Sequence, residues 1–304
     1  MAVGHAETPD ARSGVTAVLF DSAALTVIDV RGGASATYDT ASLSLDATFG
    51  RRWALFFAGG SVFGLDAARG VRVRLLEQRK GHSYFGNPNP LAPVSGAALF
   101  DLPRERGPIP DYLPLGYEAA LRASKDEVAV GRVGAGAGAT VGKYLGLDHS
   151  MPGGLGVAAT RVGHRGAIGV LLAVNSVGAV RDPATGRWVA GARDARGRIV
   201  PPRSGVAPGV PAGTTIGVVA TDLEVDRPRL ARIVAMAHVG LASAITPFHS
   251  SNDGDLLFGC STGAAGPAPR ENRPGGTADR LGVLASELAI RATLGAVRAA
   301  NAEP

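Results

Sequence analysis

The residues best equipped for chemistry meet at one junction. A glycine-, proline- and arginine-rich segment, 181–213, ends in Gly213, and the run Thr214-Thr215-Ile216-Gly217-Val218-Val219-Ala220-Thr221 starts directly after it. A long segment without periodicity inside a compact protein is either functional or disordered. The β-branched run behind it predicts a strand over 214–221. A hydroxyl residue that opens a strand behind a cleavable loop has the parts needed for self-processing. Gly213 lacks a Cβ and can take the strained backbone that lets the Thr214 hydroxyl attack the Gly213 carbonyl. An N-to-O acyl shift followed by hydrolysis would free the Thr214 α-amine, which titrates near about 7.7–8 and can take the hydroxyl proton near neutral pH. A Gly-Thr pair at a strand start is common, so the junction by itself leaves the chemistry open.

Other motifs fall short. Gly142-Lys143 looks like the end of a P-loop, but Ala137 stands where its first glycine belongs and Tyr144 follows the lysine. Gly134-x-Gly136-x-x-Ala139 meets a loose dinucleotide pattern without an acidic strand end about twenty residues on. Gly60-Ser61-Val62-Phe63-Gly64 has the wrong spacing for a nucleophile elbow, and Ser61 reads as a helix N-cap. The 6 histidines show no ligand spacing, so no metal site is expected, and His238 and His249 read as structural. Cys260, the single cysteine, excludes an internal disulfide and reads as a buried thiol.

The elements that must hold this junction follow from periodicity. Short strands are expected at 14–20 and 24–30, parted by Asp21-Ser22, and at 53–58, 97–102, 127–133 and 256–261. A hairpin is expected between 157–161 and 167–174, the second strand ending at Asn175. A helix should start near Val62 with Leu65, Ala68, Val71 and Leu75 on one face, and another short one spans 117–123. Asp226 can cap a helix through 244 whose stripe is Leu230, Ile233, Val234, Ala237 and Leu241; a final helix covers 281–300 with Leu281, Leu284 and Leu288 inward. Irregular alternation with adjacent strands argues for a layered α/β fold with mixed sheets.

Composition narrows the classes. The 304 residues can bury a sizeable core, and the 43 glycines imply close backbone approaches. Aromatics are 5% of the chain, so aliphatic residues must fill the layers. A net charge of +5 without a basic, aromatic-studded stripe speaks against nucleic-acid binding. The polar start MAVGHAETPDARSG lacks a signal-type apolar stretch and no apolar run reaches membrane-spanning length, so a cytoplasmic, membrane-free protein is expected.

A set of segments resembles one family. They are Asp29-Val30-Arg31-Gly32-Gly33, Gly59 to Ala68, Gly134 to Lys143, Ala173 to Gly178, Gly213 to Asp222 and Asp253-Gly254-Asp255. Together and in order they are similar to the self-processing aminopeptidases that include L-aminopeptidase/D-esterase, β-peptidyl aminopeptidases and nylon-oligomer (6-aminohexanoate-oligomer) hydrolase. The resemblance implies a four-layer αββα sandwich of N-terminal-nucleophile-hydrolase type. It implies one domain over 1–304 that matures into an α piece, 1–213, and a β piece, 214–304, and assembles as a homo-oligomer, often a tetramer. It implies an amide hydrolase acting on a small peptide or oligo-amide, without a cofactor, through an acyl-enzyme on Thr214.

The resemblance also implies roles. Lys143 would be a positively charged helper, Asn175 an oxyanion or orienting amide, Asp253 and Asp255 an acidic pair, and Phe100, Gly136 and Gly138 substrate contacts. Residue chemistry is compatible with these roles. Asn175 at a strand end could aim its amide at a developing oxyanion. Asp253 and Asp255, two apart, share a face if extended, and so close a pair resists double ionisation. One could orient the Thr214 amine and the other bind a substrate ammonium. The competing readings are a solvated or calcium-binding turn for the acids, a loop lysine for Lys143 and a turn residue for Asn175. Phe100 departs from the family, whose members carry a Tyr there, and segment 181–213 does not resemble its counterparts in the family and is expected to shape specificity. Two other functions remain in play: a non-processing binding relative, and a nucleotide-binding α/β protein using loop 134–143.

Overall fold

The computed structural model describes residues 1–84, 86–102, 108–164, 166–202, 212–268 and 276–302. Among them, 9 strands form one bent sheet. In chain order these are β1 (Ala2–Glu7), β2 (Gly14–Val30), β3 (Ala36–Tyr38), β4 (Arg51–Ala58), β5 (Val94–Ala98), β6 (Gly154–Val162), β7 (Gly166–Asn175), β8 (Thr214–Thr221) and β9 (Leu256–Ser261). The spatial order is β3-β5-β4-β2-β9-β8-β7-β6, with β1 beside β2. The β4–β5 and β8–β9 pairs are parallel and the rest antiparallel.

β2 makes the bend. Its ladder with β4 slips between Leu19 and Ala24, and such bulges sharpen strand twist. Its first half pairs with β1 and its second half with β9. The two arms of the sheet therefore fold face to face. Phe20, Leu55 and Phe57 from one arm pack on Leu171, Ile216, Val218 and Phe258 from the other, and burying each such side chain contributes about 1.5–3 kcal/mol.

Helices cover both outer faces. α1 (Ala67–Glu77) and α2 (Tyr112–Leu121) lie on the β1/β2/β4 arm through Ala68, Val71, Leu75 and Ala119. α3 (Arg227–Ala244) and α4 (Gly276–Ala300) lie on the β6–β9 arm through Ile233, Ala237, Leu241, Leu281 and Leu288. The result is the expected αββα sandwich with mixed strand directions. Part of the glycine content is explained by the outer layers. A Cβ on Gly116 would fall 2.2 Å from the Ala67 carbonyl oxygen, and one on Gly240 would fall 2.2 Å from that of Ser286. The helices of each pair therefore touch backbone to backbone.

Several expectations need correction. Residues 14–30 are one strand, because the exposed Asp21-Ser22 sits at the bulge rather than in a turn. Segment 127–133 is no strand; it touches the sheet through a single bridge, Gly131 to Leu155. The strand expected at 97–102 lies at 94–98. Ser61 caps nothing: Gly60 holds the cap position of a 3-10 turn over Ser61–Asp66, and α1 starts only at Ala67. The short helix starts at Tyr112, five residues before 117. Segment 181–202 is not structureless, since Ala179–Arg181, Trp188–Ala190 and Ile245–Thr246 form a small sheet. Residues 203–211 lie outside the described ones. Asp226 caps α3 as expected, its carboxylate accepting from the Arg229 N–H at 2.9 Å.

Candidate active site

Strand parity decides which side chains meet. Along β8, Ile216, Val218 and Ala220 face the space between the two arms, and along β7 so do Leu171 and Ala173. Counting back by twos puts Thr214 and Asn175 on that same inner side, and the two residues are direct partners in the antiparallel ladder. Both are buried.

The Gly213–Thr214 junction sits in a tight frame. The Thr214 hydroxyl donates to the Gly213 carbonyl, the group it would have to attack. The Gly254 N–H donates to the same oxygen at 2.9 Å. Gly213 pairs with Asp253 across a parallel bridge, and its own N–H donates to the Asn252 carbonyl at 3.2 Å. A Cβ on Gly213 would lie 2.3 Å from the Val177 nitrogen and 2.4 Å from an Asp253 carboxylate oxygen. Only glycine fits there.

Lys143 enters from a turn fastened to the residues after β7. Its N–H donates to the Val177 carbonyl at 2.8 Å, and that of Gly142 to Gly178 at 2.9 Å. The ammonium donates to the Asn175 carbonyl and side-chain oxygens, both at 2.8 Å, and to the Ala212 carbonyl at 3.3 Å. Three acceptors match its three protons. Burial lowers the Lys143 pKa to about 7, against the pull of Asp253, Asp101 and Asp255. It is no solvated loop lysine. Asn175 is equally tied. Its Oδ1 takes the Lys143 ammonium and the Thr140 N–H at 2.9 Å, and its Nδ2 donates to the Phe100 carbonyl at 2.9 Å.

The acidic pair is buried, not a solvated turn. Asp253 accepts from the Ser250 N–H at 3.0 Å, the Ser250 hydroxyl at 2.6 Å and the Val177 N–H at 3.4 Å. Its pKa is raised, first by burial and then by the charge of Asp255. Asp255 accepts from the Thr215 N–H at 2.6 Å and from His249. The Arg31-Gly32-Gly33 segment backs this turn: the Arg31 and Gly32 N–H groups donate to the Asp255 carbonyl at 2.9 Å, and a Cβ on Gly32 would meet the Asp253 carbonyl at 2.2 Å. No cluster among the described residues could hold a metal ion.

A cavity of about 340 Å³ opens beside this centre, lined in part by Asp101, Tyr112, Gly138, Thr140 and Met151. It meets the centre through Thr140, whose N–H holds the Asn175 amide oxygen, while its lining residue Asp101 follows Phe100, whose carbonyl accepts from the Asn175 amide nitrogen. Burial raises Asp101 to about 6. Gly138 lines the cavity, whereas Gly136 packs under β6, where a Cβ would meet the Leu155 nitrogen at 2.3 Å. Phe100 is 39% exposed, and its contribution to the centre is its carbonyl. Loop 134–143 makes no phosphate cradle: the Gly134 N–H is bonded to the Glu7 carboxylate at 2.6 Å and that of Ala135 to the Thr16 hydroxyl at 3.0 Å.

The fold brings together Thr214, Lys143, Asn175, Asp253 and Asp255, the set that the family resemblance implied. Sequence reasoning missed the Gly254 N–H, Ser250, Asp101 and the contact of His249 with Asp255. The turn 250–255 was legible as a turn; its burial against Gly32 and Gly213 was not.

The profile of peptidase family S58 matches residues 1–303. The uncharacterized aminopeptidase Rv1333 of Mycobacterium tuberculosis is 35% identical over 328 residues, covering 99% of this chain and 92% of that protein. The 6-aminohexanoate-oligomer endohydrolase of Paenarthrobacter ureafaciens is 29% identical over 308 residues, covering 97% and 83%. Among solved structures, the L-aminopeptidase D-Ala-esterase/amidase of Ochrobactrum anthropi, described as a variant of the Ntn hydrolase fold, superposes with a TM-score of 0.67 at 20% identity, over 98% of this chain and 84% of that one. A Burkholderia sp. β-aminopeptidase superposes with a TM-score of 0.66 at 20% identity, over 97% and 83%.

Proposed function

The chain belongs to peptidase family S58 and is a peptidase or amidohydrolase of Ntn-type fold; from that premise we propose that it arms itself by opening the Gly213–Thr214 bond and then works through Thr214. One observation carries this reading: the Thr214 hydroxyl and the Gly254 N–H converge on the Gly213 carbonyl. Attack by the hydroxyl oxygen on the Gly213 carbon moves negative charge onto the carbonyl oxygen, where the Gly254 N–H already donates. Collapse breaks the C–N bond, the nitrogen takes the proton, and an ester joins Gly213 to the Thr214 oxygen. Water then splits the ester into a Gly213 carboxylate and a threonine bearing both amine and hydroxyl.

In the armed enzyme the Thr214 amine takes the hydroxyl proton as the oxygen attacks a substrate amide. Lys143 stabilises negative charge beside it, Asn175 holds Lys143 in place, and Asp253 faces the new amine. The adjoining cavity receives the acyl part of the substrate, with Gly138 on its wall. The substrate class is a small peptide or oligo-amide, in keeping with the relatives' aminopeptidase and oligomer-hydrolase names.

Denaturing mass spectrometry of purified protein should show two pieces, 1–213 and 214–304. Thr214→Ala should give one chain without activity toward amino-acid p-nitroanilides, β-peptides or 6-aminohexanoate oligomers. An uncut wild-type chain with full activity would overturn the proposal.

A further inference from the structure

Asp255 is gripped from a side that the chemistry above leaves unused. Its carboxylate has three donors: the Thr215 N–H at 2.6 Å on one oxygen, and the His249 N–H and ring Nδ1, both at 3.0 Å, on the other. His249 thus supplies two of the three. With the ring proton on Nδ1, the imidazole donates to the same oxygen as its own backbone N–H.

The ring has little freedom. It stacks on Phe248 at 3.8 Å between centroids and meets the edge of His238 at 4.9 Å. Burial and the neighbouring His249 hold His238 down to about 4, so this second ring is neutral at working pH. The His249 backbone is left-handed, at φ 59°, a region that non-glycine residues enter at a cost. Its Nε2 is buried without a hydrogen-bond partner among the described residues, as is Nδ1 of His238. An unsatisfied buried atom in a left-handed residue is a poor choice for stability alone. What the histidine provides is a donor aimed at Asp255.

We infer that His249 is a positioning residue of the reaction: its ring fixes Asp255, and Asp255 fixes the Thr215 N–H and hence the backbone that presents Thr214. This rests on the assignment of Thr214 as the nucleophile. His249 touches neither the hydroxyl nor the scissile carbonyl, so its loss should slow the chemistry and leave substrate binding nearly unchanged.

The test compares three variants for the rate of self-cleavage and for kcat and KM of the processed enzyme. His249→Asn keeps a donor near the place of Nδ1. His249→Leu has the same shape without a donor. His249→Gly suits the left-handed backbone and also lacks the donor. The Leu and Gly variants should lose on the order of tenfold or more in kcat, and Asn should stay within about threefold of wild type. KM should move less than about twofold in all three. If Leu does not fold, the Asn–Gly comparison carries the test. Asn as slow as Leu and Gly would make the ring a filler and overturn the inference, as would wild-type rates in all three. Thr214→Ala, run alongside, separates the two ideas: if that chain still cuts and turns over, the nucleophile assignment fails whatever His249 does.

Discussion

Lys143 offers a measurement that needs no substrate. The residue is 1% exposed, and burial takes its pKa from the ordinary 10.5 to about 7. Between those values the unfolded chain still holds a proton that the folded chain has released. The unfolded state binds more protons there, so stability must rise with pH across that window. At about 1.36 kcal/mol per pH unit the ceiling on the rise is about 5 kcal/mol. The experiment uses Thr214→Ala to keep the chain whole, alone and combined with Lys143→Met, an uncharged side chain of similar length. Urea unfolding is followed from pH about 7 to about 10, where the lysine's linkage operates. Thr214→Ala should gain stability over the range, and the double variant should lack that gain. Titrating groups away from Lys143 contribute to both chains and cancel in the difference; Asp101, which the ammonium holds down, is the coupled group that does not. Parallel curves would mean that Lys143 keeps its proton throughout, and the account of its burial would fall.

Two further outcomes follow from the same frame. A Cβ on Gly254 would lie 2.9 Å from the Thr214 hydroxyl and 3.0 Å from the Ala34 carbonyl; Gly254→Ala should therefore slow self-cleavage on the order of a hundredfold in a time course read by electrophoresis, and a wild-type rate would contradict the geometry. Self-cleavage that needs the Lys143 ammonium should decline as pH rises through about 7. A rate that instead climbs through that pH would assign Lys143 the part of a neutral base.

Much of the site was readable because it depends on local pattern. The strand starting at Thr214, the strand ending at Asn175 and the Asp226 cap need only periodicity and a capping residue. What escaped depends on distant parts of the chain. Asp21-Ser22 reads as a turn because polar residues break the apolar run, yet neighbouring strands carry β2 through it. Segment 127–133 has strand-like residues but finds no open ladder beyond Gly131. Asp253 and Asp255 read as surface turn residues until Gly32 and Gly213 close over them. His249 gave no signal, since its partner lies six residues on in a loop and not along a helix or strand.

The strand order carries one more consequence. β8 and β9, both beyond Thr214, lie between β2 and β7, both ahead of Gly213. A break at the junction removes one covalent link, but β9 stays laced to β2 and β8 to β7, so the following pair is held between preceding strands on both sides. The halves would part only by unravelling the sheet from its middle. Folding is unimolecular before the cut and bimolecular after it, so renaturation of cut enzyme should depend on concentration while that of the uncut chain should not. The finished catalyst would then persist because it unfolds slowly, and not because it can readily be remade.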